Sequence, residues 1–176
     1  MGQFKNNDGL IKKTVLGILV TVILVALDQL TKLWAVSALK GNDAIVIWPG
    51  VFELRYLENR GAAFGILQGR KSFFVIFTII VLALILWLYI KRIPVERRFF
   101  VMNFVCVLFT AGAIGNFIDR VIRNYVVDFF YFCLIDFPIF NVADIYVTVA
   151  AFLIILFGLF YYKEADYERI FPSSKK

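Results

Sequence analysis

Residues 140–156 read FNVADIYVTVAAFLIIL, an apolar run with a single acid, Asp144, near its start. A carboxylate in so hydrophobic a segment is costly without a partner or a task, and by default it marks function. The uncharged window Ile145–Tyr162 has two counterparts, Ser72–Ile90 and Phe99–Ile118. Each approaches the ~20 residues that cross a bilayer as helix. A fourth, Thr14–Leu27, is shorter and runs on through Asp28 and Lys32 to about Leu39. The reading is an all-α integral membrane protein, one membrane domain over 1–176. Its transmembrane helices lie at about 14–39, 72–90, 99–119 and 141–162, with outer connectors between them.

Composition agrees. The chain is 61% hydrophobic with mean hydropathy +0.82, above the roughly half-apolar mix of soluble domains, so lipid is the expected solvent. A net charge of +6 could point to nucleic acid, but the cations sit in loops and tails, so no nucleic acid is expected. The N-terminus, the link Lys91–Arg98 and the C-terminal tail hold 11 Lys/Arg in 35 residues, against 7 in 54 for the two other connectors. That asymmetry places both termini in the cytoplasm. Lys12-Lys13 before an apolar stretch mimics a cleaved leader. The small residues Val36-Ser37-Ala38 lie too far beyond it, so a retained first helix is expected. Cys106 and Cys133 read as packing residues, not a disulfide pair.

Helical rise places the polar residues in depth. Asp28 lies ~21 Å from the inner end of the first helix; Asn116 and Asp119 lie ~26 and ~30 Å along the third; Asp144 lies ~27 Å from the inner end of the fourth. All fall in the outer leaflet. Gly112, Asn116, Asp119 and Arg123 form one stripe, with Arg120 one turn beyond Asn116. Asn141, Asp144 and Thr148 form a second, and Asp28 with Lys32 an i, i+4 pair. Polar stripes at one depth would most cheaply face each other. Interfacial snorkelling or interhelical hydrogen bonding suits Lys32 and Arg123; aspartate is too short to snorkel, so Asp144 is left without that account. The second helix carries no charge and reads as structural or lipid-facing.

The chain has no histidine, which removes imidazole bases and the common zinc sets. The Gly-rich piece RGAAFG lacks a phosphate-loop lysine. Ser37 and Ser72 near lysines signal a serine–lysine enzyme only weakly. Carboxylate chemistry remains. Two adjacent carboxylates share one proton, which suits amide hydrolysis: one activates water while the other polarises the carbonyl. Three acids could partner Asp144. Asp119, beside Arg120 and Arg123, reads as a salt-bridged structural acid; Asp128 and Asp136 both sit in apolar settings, and spacing favours Asp128 only slightly. In the first outer connector, VFELRYL (51–57) alternates after a Trp-Pro-Gly turn signal, as a short amphipathic strand on the membrane surface would, although spacing equally permits a plain loop. Small residues in the following Glu58–Gly65 would let a backbone approach closely. A proton relay through Asp28, Asp119 and Asp144 in a small transporter is the competing reading, and a non-catalytic scaffold a third. The relay predicts polar residues at several depths, not one.

LDQLTK (27–32), ENRGAAFG (58–65), GAIGNFIDR (112–120), VVDFF (126–130) and FNVAD (140–144) occur in this order. Together they closely resemble the bacterial lipoprotein signal peptidases, signal peptidase II, over most of the chain. The resemblance implies a four-helix aspartyl peptidase of the bacterial cytoplasmic (inner) membrane, acting as a monomer without metal or cofactor. Its partners would be membrane lipids and lipid-modified prolipoproteins, cut just before a diacylglyceryl cysteine towards the outer leaflet. It implies a small β-containing extracytoplasmic cradle at about 43–66, an outer connector at 120–140, and a catalytic dyad of Asp128 with Asp144. Asn59 and Gly61 match the cradle over the substrate; Asn116, Arg120, Asn141 and Ala143 match residues around the dyad; Asp28, Lys32, Gly112 and Asp119 match supporting positions. Ile145-Tyr146 stands where a serine often follows FNVAD, and the connector between the aspartates is shorter than usual and lacks a tryptophan.

Overall fold

The structure, a computed structural model, describes residues 2–61 and 71–172. Four helical stretches are long and apolar enough to cross a membrane: Asp8–Leu39, Lys71–Arg92, Arg97–Arg123 and Val142–Phe160. The first belongs to helix α1 (Gly2–Leu39), which starts well before residue 14. No proline interrupts residues 2–13, and Lys13 has an inward task. Its ammonium donates to the carbonyls of Tyr89 (2.5 Å) and Ile93 (2.9 Å), groups that the end of the second span leaves open.

Helix α2 (Lys71–Trp87) has no buried residue. It is the lipid-facing span its lack of charge suggested. It runs into a π turn, Leu88–Arg92, and the chain then extends at Ile93 before Pro94, which cannot continue a helix. A 3₁₀ turn, Arg97–Phe99, leads into α3 (Phe100–Arg123), the central helix, whose buried face includes Val105, Leu108, Ala111, Gly112, Gly115 and Asp119. Asn124 ends it in the left-handed region (φ 67°), which asparagine tolerates. Helix α4 (Val142–Phe160) packs closely on α3. A Cβ at Gly112 would lie 2.6 Å from the Ala143 carbonyl oxygen, so only glycine lets the two backbones approach this way.

The connectors carry structure too. β1 (Ile45–Trp48), β2 (Phe52–Asn59) and β3 (Val126–Tyr131) form an antiparallel sheet in the order β1-β2-β3. β2 takes up the alternating segment from Phe52 onward as a strand, with Val51 in the turn before it. It pairs with β3 in a register that sets Leu57 opposite Asp128 and Asn59 opposite Val126. After β3 come a 3₁₀ turn, Cys133–Ile135, and a bridge from Phe140 back to Phe130 that delivers the chain to α4. Residues 62–66 of the anticipated cradle, with the Ala62–Gly65 part of ENRGAAFG, lie outside the described residues. At the opposite end a short helix, α5 (Glu164–Ile170), folds under the bundle and buries Ile170 with Phe99 and Tyr162. Large apolar side chains such as Leu16, Ile23, Ile80 and Phe152 face outward, as a lipid solvent requires.

Candidate active site

The site begins with a buried ion cluster. Asp28 and Lys32, one turn apart on α1, are wholly buried with their charged atoms 2.9 Å apart. The Lys32 ammonium also lies 3.3 Å from Asp119 on α3 and donates to the Asn116 side-chain oxygen at 2.9 Å. Lys32 therefore does not snorkel: its three N–H groups meet two carboxylates and an amide inside the bundle. An unpaired charge here would carry a desolvation penalty of several kcal/mol. Each acid also holds a backbone. Asp28 accepts the Ala143 N–H (2.9 Å), an N-terminal donor of α4 that its own helix cannot satisfy, and Asp119 accepts the Val127 N–H (3.1 Å) of β3. Asp119 is ion-paired as its neighbours suggested, but with Lys32 and, at 3.5 Å, Arg123. Arg120 turns away, donating to the Asn116 carbonyl (3.4 Å) and lying 4.8 Å over the Phe74 ring.

From this cluster a chain of amides reaches two further carboxylates, and each amide's orientation follows from a partner that can only donate. Lys32 fixes the oxygen of Asn116, so its NH₂ faces Asp144 at 2.8 Å. The Asp144 backbone N–H fixes the oxygen of Asn141 (3.1 Å), so the Asn141 NH₂ faces Asp128 at 2.6 Å and Asn116 at 3.1 Å. The Gly61 N–H fixes the oxygen of Asn59 (3.0 Å), leaving its NH₂ on Asp128 at 2.9 Å. Asn141 is also the N-cap of α4: its N–H donates to Asp144 (3.1 Å), completing a capping box. One residue thus holds both Asp128 and Asp144. Asp136, the alternative that spacing alone left open, is exposed, in left-handed backbone (φ 47°), and takes a hydrogen bond from Tyr131 at 2.6 Å.

Asp128 is 1% exposed while Asp144 is half-buried, and both line a cleft of about 930 Å³. Burial, reinforced by the negative charge of Asp144, pushes the Asp128 carboxyl up to about 7, against the Asn59 and Asn141 hydrogen bonds, which favour its ionised form. Asn59, Gly61, Asn116 and Arg120 share the cleft. Its apolar wall combines Phe137–Phe140 with Ile145 and Val149, which are also partly exposed on the membrane face of α4. The cleft therefore meets the lipid-facing side of the bundle. Ile145 lines it, whereas Tyr146 turns into the bundle and donates to the Leu24 carbonyl (3.3 Å). Gly112 and Ala143 act through packing. Two supporting residues escaped the sequence reading: Gln29, which bridges Asp28 (3.0 Å) and the Gly115 carbonyl (3.1 Å), and Gly115 itself, where a Cβ would lie 2.5 Å from Asp28. The i, i+3 glycine pair in GAIGN was the available signal. Among the described residues, no group of three or more His, Cys, Asp or Glu is arranged to hold a metal ion.

Comparison with known proteins bears on this geometry. The family described as signal peptidase (SPase) II matches residues 20–160. The lipoprotein signal peptidase of Streptococcus thermophilus (strain CNRZ 1066) is 47% identical over 133 residues, covering 76% of this chain and 85% of the relative. That of Streptococcus pyogenes serotype M5 (strain Manfredo) is 40% identical over 150 residues, covering 85% and 95%. Among solved structures, a bacterial membrane enzyme determined by the in meso method at 2.3 Å resolution superposes with a TM-score of 0.72. Its identity is 34%, over 91% of this chain and 93% of that one. Another, at 1.9 Å resolution, gives 0.73 at 38% identity, over 84% and 94%.

Proposed function

The chain belongs to the signal peptidase II family, and from that premise we propose that it is a membrane aspartyl endopeptidase whose catalytic dyad is Asp128 with Asp144. It removes signal peptides from prolipoproteins by cutting before the diacylglyceryl-modified cysteine. The observation that carries this reading is Asn141, which donates to both carboxylates and ties them to one wall of one cleft.

The chemistry follows from the two environments. Asp128, whose carboxyl is raised to about 7, holds the shared proton. Asp144 takes a proton from water as the water oxygen attacks the scissile carbonyl carbon, and Asp128 gives its proton to the carbonyl oxygen. The tetrahedral intermediate then collapses: the C–N bond breaks as the nitrogen takes the proton from Asp144, and one hydroxyl proton of the intermediate returns to Asp128 as the carbonyl re-forms. The new carboxyl and amine leave with the pair again singly protonated. Each carboxylate oxygen accepts one N–H, Asp128 from Asn59 and Asn141 and Asp144 from Asn116 and the Asn141 backbone, and these bonds fix the orientation of both acids in the cleft. The Asp28–Lys32–Asp119 cluster fastens α1, α3, β3 and the start of α4 around them. Both termini lie in the cytoplasm and the cleft opens at the outer leaflet. A diacylated substrate reaches it laterally past Ile145 and Val149, its acyl chains remaining in lipid.

Asp128→Asn or Asp144→Asn should leave an inserted, folded protein that releases no signal peptide from a diacylated precursor. The loss corresponds to at least ~10²–10⁴-fold for removal of a general acid or base. Full processing by either purified variant would overturn the mechanism.

A further inference from the structure

Beside the cleft lies a second, smaller recess of about 210 Å³, lined by Asn59, Arg60, Lys71, Arg120, Asn124 and Tyr125, with Phe74 as its apolar floor. Three of these side chains are cations, and no carboxylate among the described residues lines the recess. Arg60 has Glu58 at 3.2 Å on its outward side. Lys71 is held in place by the Asn124 side-chain oxygen (2.6 Å) and the Val121 carbonyl (3.3 Å), neutral acceptors that leave its charge uncompensated among the described residues. Arg120 has no carboxylate within 4.0 Å among the described residues. Its one hydrogen bond among the described residues is the 3.4 Å contact to Asn116, so most of its five donors are without a described partner above the Phe74 ring. A guanidinium stacked on an aromatic and flanked by an ammonium is suited to the oxygens of a phosphate.

The position of the recess identifies the bearer of that phosphate. It sits where α2 begins and α3 ends, at the cradle-side mouth of the bundle. Helix α2 buries nothing, and its first turns present Phe73, Ile76, Phe77 and Ile80 to the bilayer. A phospholipid lying along that face would bring its headgroup to Lys71 and Arg120 while its chains follow the helix.

We propose that this recess binds the phosphodiester headgroup of an anionic phospholipid of the same leaflet, seated beside the cleft and sharing Asn59, Arg60 and Arg120 with its wall. The inference goes beyond the peptidase reading and needs no turnover. The geometry disfavours a zwitterionic lipid, because its quaternary ammonium would meet the Lys71 ammonium and the Arg120 guanidinium, with Arg60 already ion-paired to Glu58.

The test is native mass spectrometry of the full chain released from nanodiscs of equal phosphatidylglycerol and phosphatidylcholine. The wild type should retain phosphatidylglycerol preferentially. Lys71→Gln should lower that preference about fivefold, the share of one interfacial cation, and Lys71→Arg should keep it. Equal retention of the two lipids, or an unchanged preference in Lys71→Gln, would overturn the site. Displacement of the lipid by millimolar glycerol phosphate would refute a lipid site in favour of one for soluble phosphate. Asp128→Asn should retain the lipid as the wild type does, so failure of the peptidase reading and failure of this one are separate results.

Discussion

Asn59 is the residue on which the chemistry of the pair can be tuned. Its NH₂ group, fixed by the Gly61 N–H, is one of two amide donors to Asp128, and those donors favour the ionised carboxyl against burial and the charge of Asp144. The proposed mechanism needs one proton on the pair, so activity should fall as pH rises through about 7. Asn59→Ala removes a donor to the charged form, making ionisation harder. The alkaline limb of the kcat/KM profile should therefore move to higher pH, by about one to two units if one charged hydrogen bond is lost. A profile on a diacylated precursor between pH 5 and 9 reads this directly, and a limb that stays put would mean Asp128 is not the proton holder. Much of this site was legible from residue types. An acid in an apolar run, no histidine and the Asp28/Lys32 spacing each pointed inward. Two things were not. Asp128 and Asp136 have similar local sequence, and only the fold puts Asn141 on one of them. Lys32 resembled an interfacial lysine because Asn116, which occupies its third N–H, lies 84 residues away.

At the scale of elements, the site depends on how closely α4 approaches α3. Gly112 permits that approach: a Cβ there would fall 2.6 Å from the Ala143 carbonyl oxygen and 2.7 Å from Val147. Both obstacles belong to α4, one of them backbone, so Gly112→Ala should push the start of α4 outward and stretch the Asn116–Asp144 hydrogen bond. A displacement approaching 1 Å costs on the order of 10²-fold in turnover, and the variant should also melt earlier in detergent. Gly9→Ala is the control, since a Cβ there meets only Val95 at an ordinary 3.5 Å. Wild-type turnover in Gly112→Ala would show that the approach does not set the geometry. Which elements could be read ahead follows from their environments. Spans announce themselves by hydropathy, and β2 by its alternation. β3 is buried on both faces through Phe129, so it shows no period-2 pattern, and β1 is exposed on both faces. The extra turns of α1 escaped because Lys12 and Lys13 look like a boundary until the partner carbonyls at the end of the second span are known.

Across the whole molecule, the α4 helix of 19 residues, ~28 Å long, separates two polar ends with different duties. One holds the proposed dyad, Asp128 and Asp144, and the ion cluster beside it. The other is a clasp: the Arg98 guanidinium grips both oxygens of Asp166 at 2.5 Å, Asp166 also accepts the Lys163 N–H (2.8 Å), and Arg169 pairs with Glu96. These contacts fold α5 back onto the start of α3 and close Ile170 over Phe99 and Tyr162. Hydrogen bonds from Arg98 first and from the Lys163 backbone second hold the Asp166 carboxyl down at about 2. A carboxyl lower in the folded than in the unfolded chain contributes stability that is complete above its ordinary value near 4 and disappears as pH falls through about 2. Asp166→Asn should therefore lower the melting temperature in detergent at pH 7. The gap from wild type should narrow as pH is taken from about 4 towards 2, where the wild-type carboxyl is itself neutral. Because the clasp and the dyad share no side chain, turnover at pH 7 and moderate temperature should be near that of wild type. A variant that melts normally but has lost turnover would mean instead that the two ends are coupled through α3 and α4, and that the clasp positions the site rather than only holding the bundle closed.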